Sequence, residues 1–364
     1  MRIAQVAPLS ESVPPRLYGG TERVVSWLTE ELVNLGHSVT LFASGDSVTK
    51  ARLVPMCPRA LRLDNEVQDA LAHHVLMMEE VFKQAADFDL IHFHLDYIHF
   101  SLARRAQVPC LTTLHGRLDI PDLVPIHETF REQPLVSISH SQRTPLLWAK
   151  WQGTVHHGMP RRLLTLREGR GNYLAFLGRV SPEKGVDEAI RIACRAGMPL
   201  KIAAKVDQAD QSYFEQHIKP MLNCSLVEFI GEIGTEEKND FLGNAAALIF
   251  PINWPEPFGL VMIEALACGT PVIAYGCGSV PEIIDDGVVG FIVSNAADAV
   301  DAVNKLHQID RRDCRRHFER YFTDERMARD YLNIFQRLTR KKSTALTLSN
   351  GVLGWTDLVP NTTT

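Results

Sequence analysis

The stretch PEPFGLVMIEALACGTPVIA, residues 255–274, sets two glutamates where a carboxylate is costly. Glu264 is flanked by Met262, Ile263, Ala265 and Leu266. An ionised carboxylate among such neighbours must be paired or hydrogen-bonded. A ligand with vicinal hydroxyls is one suitable partner, since a carboxylate can accept from both. Glu256 precedes the same apolar helix, with Phe258 and Gly259 beside it. Backbone amides at a helix start can meet a sugar there. The competing reading, an amphipathic helix with an exposed polar face, finds little polar face in the neighbouring positions.

Two cations stand in FLGRVSPEKGVDEAI, residues 176–190. A buried strand ends at Gly178, and Arg179 and Lys184 follow before the next helix. Ligands of open α/β sheets bind at the carboxyl ends of strands. There the guanidinium would grip a diphosphate bidentately and the ammonium as a point charge. Taken alone, the stretch reads slightly better as two solvated loop cations. In GGTERVVSWLTEEL, residues 19–32, Gly19 and Gly20 open a helix. Free N–H groups and the helix dipole make such a start an anion site, although a glycine start also serves turn geometry alone. It is no dinucleotide fingerprint, because the glycines do not follow the strand at once. His115, in TTLHG, lies just past a strand end and reads equally as structural or functional. The histidines of HFHLD (92–96), His73–His74 and His156–His157 lack zinc-site spacing. Asp87 and Asp89 precede a strand instead of following one, so their D-x-D pattern reads as chance.

The elements that must position these residues alternate short β-branched runs with helical patterns, the signature of parallel sheets built from βαβ units. Strands are expected at 3–6, 39–42, 90–93, 110–114 and 135–137 in the first half. In the second half they are expected at 173–177, 200–203, 227–230, 247–250, 271–274 and 291–293. Helices are expected at 21–35, 65–86, 258–267 and 324–340. Residues 160–172, rich in Arg and Gly and without periodicity, mark a domain boundary. Expected units are 1–165, 166–323, a helix over 324–342 that ends the fold, and a loosely held tail over 343–364.

The 364 residues fit two domains of about 100–200 residues each. A net charge of −5 argues against a nucleic-acid partner, whose footprint is a basic patch. The seven cysteines are scattered without a C-x-x-C pair and read as small buried hydrophobes of a reducing cytoplasm. The start, MRIAQVAPLSES, reads as a first strand and not a signal peptide. No run approaches the roughly 18 apolar residues of a membrane span. The expected helix at 65–86 is acidic rather than basic, so membrane attachment is not supported.

Jointly and in this order, GGTERV, TTLHG, GRVSPEKG and EPFGLVMIEALACGTPVIA resemble the family 4 retaining glycosyltransferases of the GT-B fold, also called glycosyl transferases group 1. The resemblance runs from about residue 1 to 340. Its most specific part is Glu256 and Glu264 with seven residues between them; SVPEIIDDGVVGFIV (279–293) matches the stretch that usually follows. It implies an α/β fold of two Rossmann-like domains facing across a cleft, the last helix crossing back to the first domain. It implies a retaining, metal-independent hexosyl transfer from a UDP- or GDP-linked sugar to a hydroxyl acceptor, with no cofactor. Gly20 would meet the donor's distal phosphate through its backbone, with Gly19 also donor-binding; Arg179 and Lys184 would neutralise the diphosphate, and Glu264 would hold the ribose. Glu256, His115 and the amides of Phe258, Gly259 and Leu260 would face the sugar, and Glu232 and Ile233 the nucleobase. Departures fall at HHGMP (156–160), where an Asn-Gly pair is common, and at KIAAKV (201–206), where a glycine is common. The readings left beside it are a GT-B-like epimerase or phosphorylase, a catalytically silent nucleotide-sugar-binding protein, and a nicotinamide oxidoreductase, the last lacking its fingerprint.

Overall fold

In the computed structural model, which describes residues 1–16 and 19–350 with side chains through residue 340, the apolar runs sort into two parallel sheets. The first holds β1 (Arg2–Val6), β2 (Ser38–Ala43), β3 (Arg52–Pro55), β4 (Leu90–Phe93), β5 (Cys110–Thr113), β6 (Leu135–Ser137) and β7 (Trp151–Thr154). Their order is β3-β2-β1-β4-β5-β6-β7. The second holds β8 (Leu174–Arg179), β9 (Leu200–Lys205), β10 (Val227–Gly231), β11 (Ala247–Phe250), β12 (Val272–Tyr275) and β13 (Gly290–Val293), ordered β10-β9-β8-β11-β12-β13. All pairings between these strands are parallel. Strand order reverses between β1 and β4 and again between β8 and β11, and such switch points open a crevice at the strands' carboxyl ends. This is the two-lobed α/β GT-B arrangement expected from the sequence.

Central strands such as β4 and β11 are buried at every position, as sheets covered on both faces require. The edge strands β3 and β7 escape a sequence reading. β3 carries exposed ends and β7 is half-buried throughout, so neither shows an apolar run. The main helices are α1 (Gly20–Asn34), α2 (Ala70–Lys83), α3 (Val186–Ala196), α4 (Thr235–Gly243), α5 (Leu260–Ala267), α6 (Arg311–Tyr321) and α7 (Asp324–Asn350). α2 is shorter than its pattern because Asp69 caps it, accepting from Leu71 N and Ala72 N. α7 runs beyond 342, so the segment expected to be loose begins as helix; residues 351–364 lie outside the described residues. No helix among the described residues is long and apolar enough to cross a membrane.

One apolar core runs through both lobes, from Ile3 and Leu28 to Phe258, Phe322 and Phe335. α7 returns to the first lobe, where the Tyr331 hydroxyl lies 3.0 Å from the Thr113 hydroxyl and Arg337 donates to Gln152 O at 2.8 Å. Two chain segments cross the junction side by side. Met159 N donates to Phe322 O at 2.9 Å and Asp324 N to Met159 O at 3.1 Å. A Cβ on Gly158 would lie 2.1 Å from Thr323 O, so this crossing demands glycine. Within the second lobe, Arg311 donates to the carbonyls of Arg167, Gly243 and Ala245 and to the Thr270 hydroxyl, all within 2.8 Å.

A second bond between lobes fixes their spacing. Glu282 accepts from His140 N at 2.7 Å and Ser141 N at 2.8 Å, and its Oε2 lies 3.0 Å from His156 Nε2. Burial pushes this carboxyl up, but the His156 bond and the two amides outweigh it and hold it below the usual range. A depressed carboxyl stabilises the fold above its unfolded pKa and loses that contribution as pH falls through the folded value. Glu282→Ala should therefore cost about 1.5–3 kcal/mol near neutral pH. In paired thermal melts the gap between wild type and variant should close below about pH 4. A gap independent of pH would show that the carboxylate charge is not what counts.

Candidate functional site

The carboxyl edges of the two sheets face each other across a cleft of about 510 Å³. The first wall is built by the loop from β1 into α1. Gly19 is the N-cap of α1, and no side chain caps this helix start. A Cβ on Gly19 would lie 2.7 Å from Pro15 Cβ, so a side chain here would spread the turn. A Cβ on Gly20 would meet only Leu260 Cδ1, at 3.8 Å, from the opposite lobe. The tip of α1 thus reaches across to the start of α5. Glu22, in the first turn, is buried, and that burial pushes its carboxyl up. Next to it, Arg23 crosses the gap to donate to Thr235 Oγ1 at 2.8 Å.

The second wall starts where β8 ends. The strand runs one residue further than the sequence pattern indicates, so Arg179 is its last residue and not part of the loop. Its guanidinium lies 3.1 Å from Glu183 and 3.6 Å from both Asp207 and Asp210. Lys184 closes the following turn. Its Nζ lies 2.5 Å from Glu256 Oε2 and 5.1 Å from the Trp254 ring centroid. α5 starts at Leu260, two residues later than expected, because Gly259 is left-handed at φ +80°. A Cβ there would lie 2.9 Å from Met262 Cε and 3.2 Å from Phe250 Cζ, so only glycine suits this entry. Like α1, α5 has no side-chain cap. From beneath, Ser279 steadies the loop: its Oγ donates to Phe258 O at 2.7 Å and its N to Glu256 O at 3.0 Å. Glu264, only 4% exposed, is paired with Lys238 Nζ at 2.6 Å.

At the base of the first lobe lies a chain of histidines. His94 Nε2 is 2.8 Å from Gln5 Oε1, and His94 Nδ1 is 2.8 Å from His115 Nε2. With Gln5 Oε1 as acceptor, Nε2 of His94 carries the proton, Nδ1 accepts, and His115 Nε2 donates. The free Nδ1 of His115 is then an acceptor, and it is buried without a protein partner. The His115 ring stacks on His157 at 5.3 Å, and His157 meets Phe258 edge-on at 4.7 Å. The histidines of HFHLD and His157 therefore support His115; His92 in turn bonds Thr113 Oγ1 at 2.8 Å.

The residues singled out from the sequence come together. Gly19, Gly20 and His115 line the cleft from the first lobe. Arg179, Lys184, Glu232, Ile233, Glu256, Phe258, Gly259, Leu260 and Glu264 line it from the second. Sequence reasoning missed Lys238, whose partner Glu264 is 26 positions away, and Lys205, Glu11, Glu22, Arg62 and Trp254, which also line it. Only the strand-end position of Lys205 and the place of Trp254 in the loop after β11 could have drawn attention to them. Asp89, of the D-x-D pattern, pairs with Arg2 instead, at 3.0 Å.

Residues 165–321 match the model of the glycosyl transferases group 1, and residues 18–168 match that of Glycosyltransferase Family 4. A D-inositol 3-phosphate glycosyltransferase of Mycobacterium leprae is 32% identical over 152 residues, which are 37% of this chain and 34% of that protein. The match thus spans about a third of that relative's length. A sucrose-phosphate synthase of Thermosynechococcus elongatus shares the fold at TM-score 0.77 and 17% identity, over 93% of this chain and 99% of that one. The Anabaena protein Alr3699/HepE, in complex with UDP and glucose, does so at TM-score 0.70 and 16% identity, over 94% and 100%.

The histidine chain also sets a pH requirement. Burial holds His92, His94 and His157 well below the usual 6.5, and lowers to about 3 both His115 and the neighbouring His99, which stacks on Phe93 at 3.8 Å with Nε2 2.7 Å from Thr112 Oγ1. Below pH 6.5 the unfolded chain binds protons that the folded chain refuses, so stability is full above about pH 6.5 and falls as pH drops toward the folded values. The melting temperature should decline steeply between about pH 6.5 and 4. His99→Phe should flatten that decline, read by thermal melts across the range. An unchanged slope would mean that His99 is protonated in the folded protein.

Proposed function

Given that the chain belongs to the family 4 glycosyltransferases of the GT-B fold, we propose that it moves a hexosyl group from a nucleotide-diphosphate sugar to a hydroxyl acceptor, retaining the anomeric configuration and needing no metal ion. One observation carries this reading: two uncapped helix starts, Arg179 and Lys184 converge on a cleft that also holds Glu256 and Glu264. Positive helix ends and two cations suit a diphosphate; carboxylates suit hydroxyls. The UDP and glucose complex of the Anabaena protein makes a uridine donor the first to test, with GDP-linked sugars next.

In this reading the Gly20 amide meets the distal phosphate and Glu264 the ribose hydroxyls. The nucleobase lies against Glu232 and Ile233. Glu256, the amides of Phe258 to Leu260 and His115 hold the hexosyl group, His115 through the acceptor lone pair of Nδ1. The free protein keeps Lys184 and Glu256 paired at 2.5 Å. Donor binding exchanges these partners: the diphosphate takes the ammonium, and Glu256 turns to the sugar. Negative charge grows on the diphosphate as the glycosidic bond breaks, and preorganised cations and amides stabilise it. A phosphate oxygen on the same face takes the acceptor proton. Glu256 is not the nucleophile that a retaining glycosidase would use. With half the site on each lobe, closure over the donor is part of the cycle.

Calorimetry against a panel of nucleotide sugars should find one that binds, and product analysis should show an α-configured product from an α-linked donor. If no nucleotide sugar binds, the reading fails. Lys184→Ala and Arg179→Ala should each lower kcat/KM by about 100-fold or more. Activity within tenfold of wild type in either variant would contradict the clamp. Chelator should leave the rate unchanged; loss of activity restored by magnesium would remove the metal-free claim.

A further inference from the structure

The seven cysteines do not all fit the reading as small buried hydrophobes. Cys57, Cys110, Cys268 and Cys314 are buried, but Cys194 is exposed and Cys224 half-buried. Cys194 and Cys224 are 30 positions apart in sequence, yet their Sγ atoms lie 2.9 Å apart. A bonded pair is at about 2.05 Å, so only a small side-chain movement separates the two thiols from a disulfide.

The backbone on both sides is already fixed. Cys194 sits in the last turn of α3, and its carbonyl accepts from Gly197 N at 3.3 Å, the left-handed residue that ends the helix. Cys224 N donates to Met221 O at 3.3 Å, and Cys224 O accepts from Val227 N at 2.9 Å, where β10 begins. Either thiol can donate across this contact. With Cys194 donating, the bond lowers the Cys224 thiol and pushes Cys194 up to about 11, which makes Cys224 the better first nucleophile.

We propose that Cys194 and Cys224 form a reversible redox site that closes to a disulfide by exchange with an oxidised low-molecular-weight thiol. The Cys224 thiolate attacks one sulfur of the oxidant's disulfide and expels one thiolate. Deprotonated Cys194 then attacks the Cys224 sulfur of the mixed disulfide and expels the second. Two protein thiols lose two electrons and two protons, and the oxidant leaves as two thiols. The site stands apart from the cleft, but it spans an excursion that serves the cleft. Between the two cysteines run β9, whose end carries the cleft-lining Ala204 and Lys205, and then Asp207 and Asp210, which hold Arg179. Closing that excursion constrains the unfolded chain and stabilises the donor-side lobe. The proposal does not depend on the glycosyl-transfer reading.

The test incubates the reduced full chain with excess glutathione disulfide. The intact mass should fall by two hydrogens, and peptide mapping should join Cys194 to Cys224 within one chain. Dithiothreitol should restore both thiols to alkylation. Oxidation should raise the melting temperature by about 5 °C. Cys194→Ser should instead hold a glutathione adduct on Cys224, with no rise. If both thiols stay open to alkylation, if glutathione remains on the wild-type chain, or if the linked peptides come from two chains, the proposal is overturned.

Discussion

Two helix starts meet across the cleft, and neither carries a side-chain cap. A Cβ on Gly20, at the tip of α1, would stand 3.8 Å from Cδ1 of Leu260, the first residue of α5. Each start carries the partial positive charge of a helix end, and at α1 the first-turn Glu22 carboxylate accepts from its own N–H. Two such ends facing each other are unfavourable unless water or an anion lies between them. Evolution usually caps a helix with Ser, Thr, Asp or Asn; here Gly19 and Gly259 supply no side-chain cap. The rest of the fold keeps these ends in place. The parallel sheets direct their strand ends to one crevice, the shared core holds the lobes together, and Glu282 sets their spacing.

The charged side chains around the cleft follow a second rule. Each cation of the second wall is held by carboxylates: Arg179 by three, Lys184 by Glu256, Lys205 by Asp207 and Lys238 by Glu264. None is left to find its position when a ligand arrives. An incoming anion competes with groups of its own sign, so affinity comes from geometry and partner exchange more than from bulk attraction. This agrees with a chain whose net charge is −5 and whose cleft nevertheless gathers Arg179, Lys184, Lys205 and Lys238 on one wall.

Much of this was legible in the sequence, and the boundary of legibility is physical. Strands buried on both faces announce themselves as apolar runs, so β1, β4, β6 and β11 were read nearly to the residue. Glu264 was legible because a carboxylate inside MIEAL contradicts its neighbours. The edge strands β3 and β7 were not, since an edge needs neither burial nor alternation. The partner of Glu264 was not, because Lys238 sits in TEEKND, where a lysine is ordinary. The histidines of HFHLD read as non-ligands from their spacing, but their role as supports was not legible, because Gln5 and Thr113, which hold them, come from other strands. The proximity of Cys194 and Cys224 depends on how α3 lies against β10's approach, which no local pattern encodes.

The paired crossing at the lobe junction constrains the mechanics. A single linker lets two bodies twist, swing and slide. Here Met159 bridges to Thr323 in parallel, and Gly158 lies too close to Thr323 O for any side chain to intervene. Two strands pinned together act like the two leaves of a door hinge, leaving one easy axis of rotation. Any parting of the walls about this axis breaks the Glu282 bonds to His140 and Ser141, and their return restores the alignment. The uncapped helix start on one jaw then returns each time to the same cations on the other.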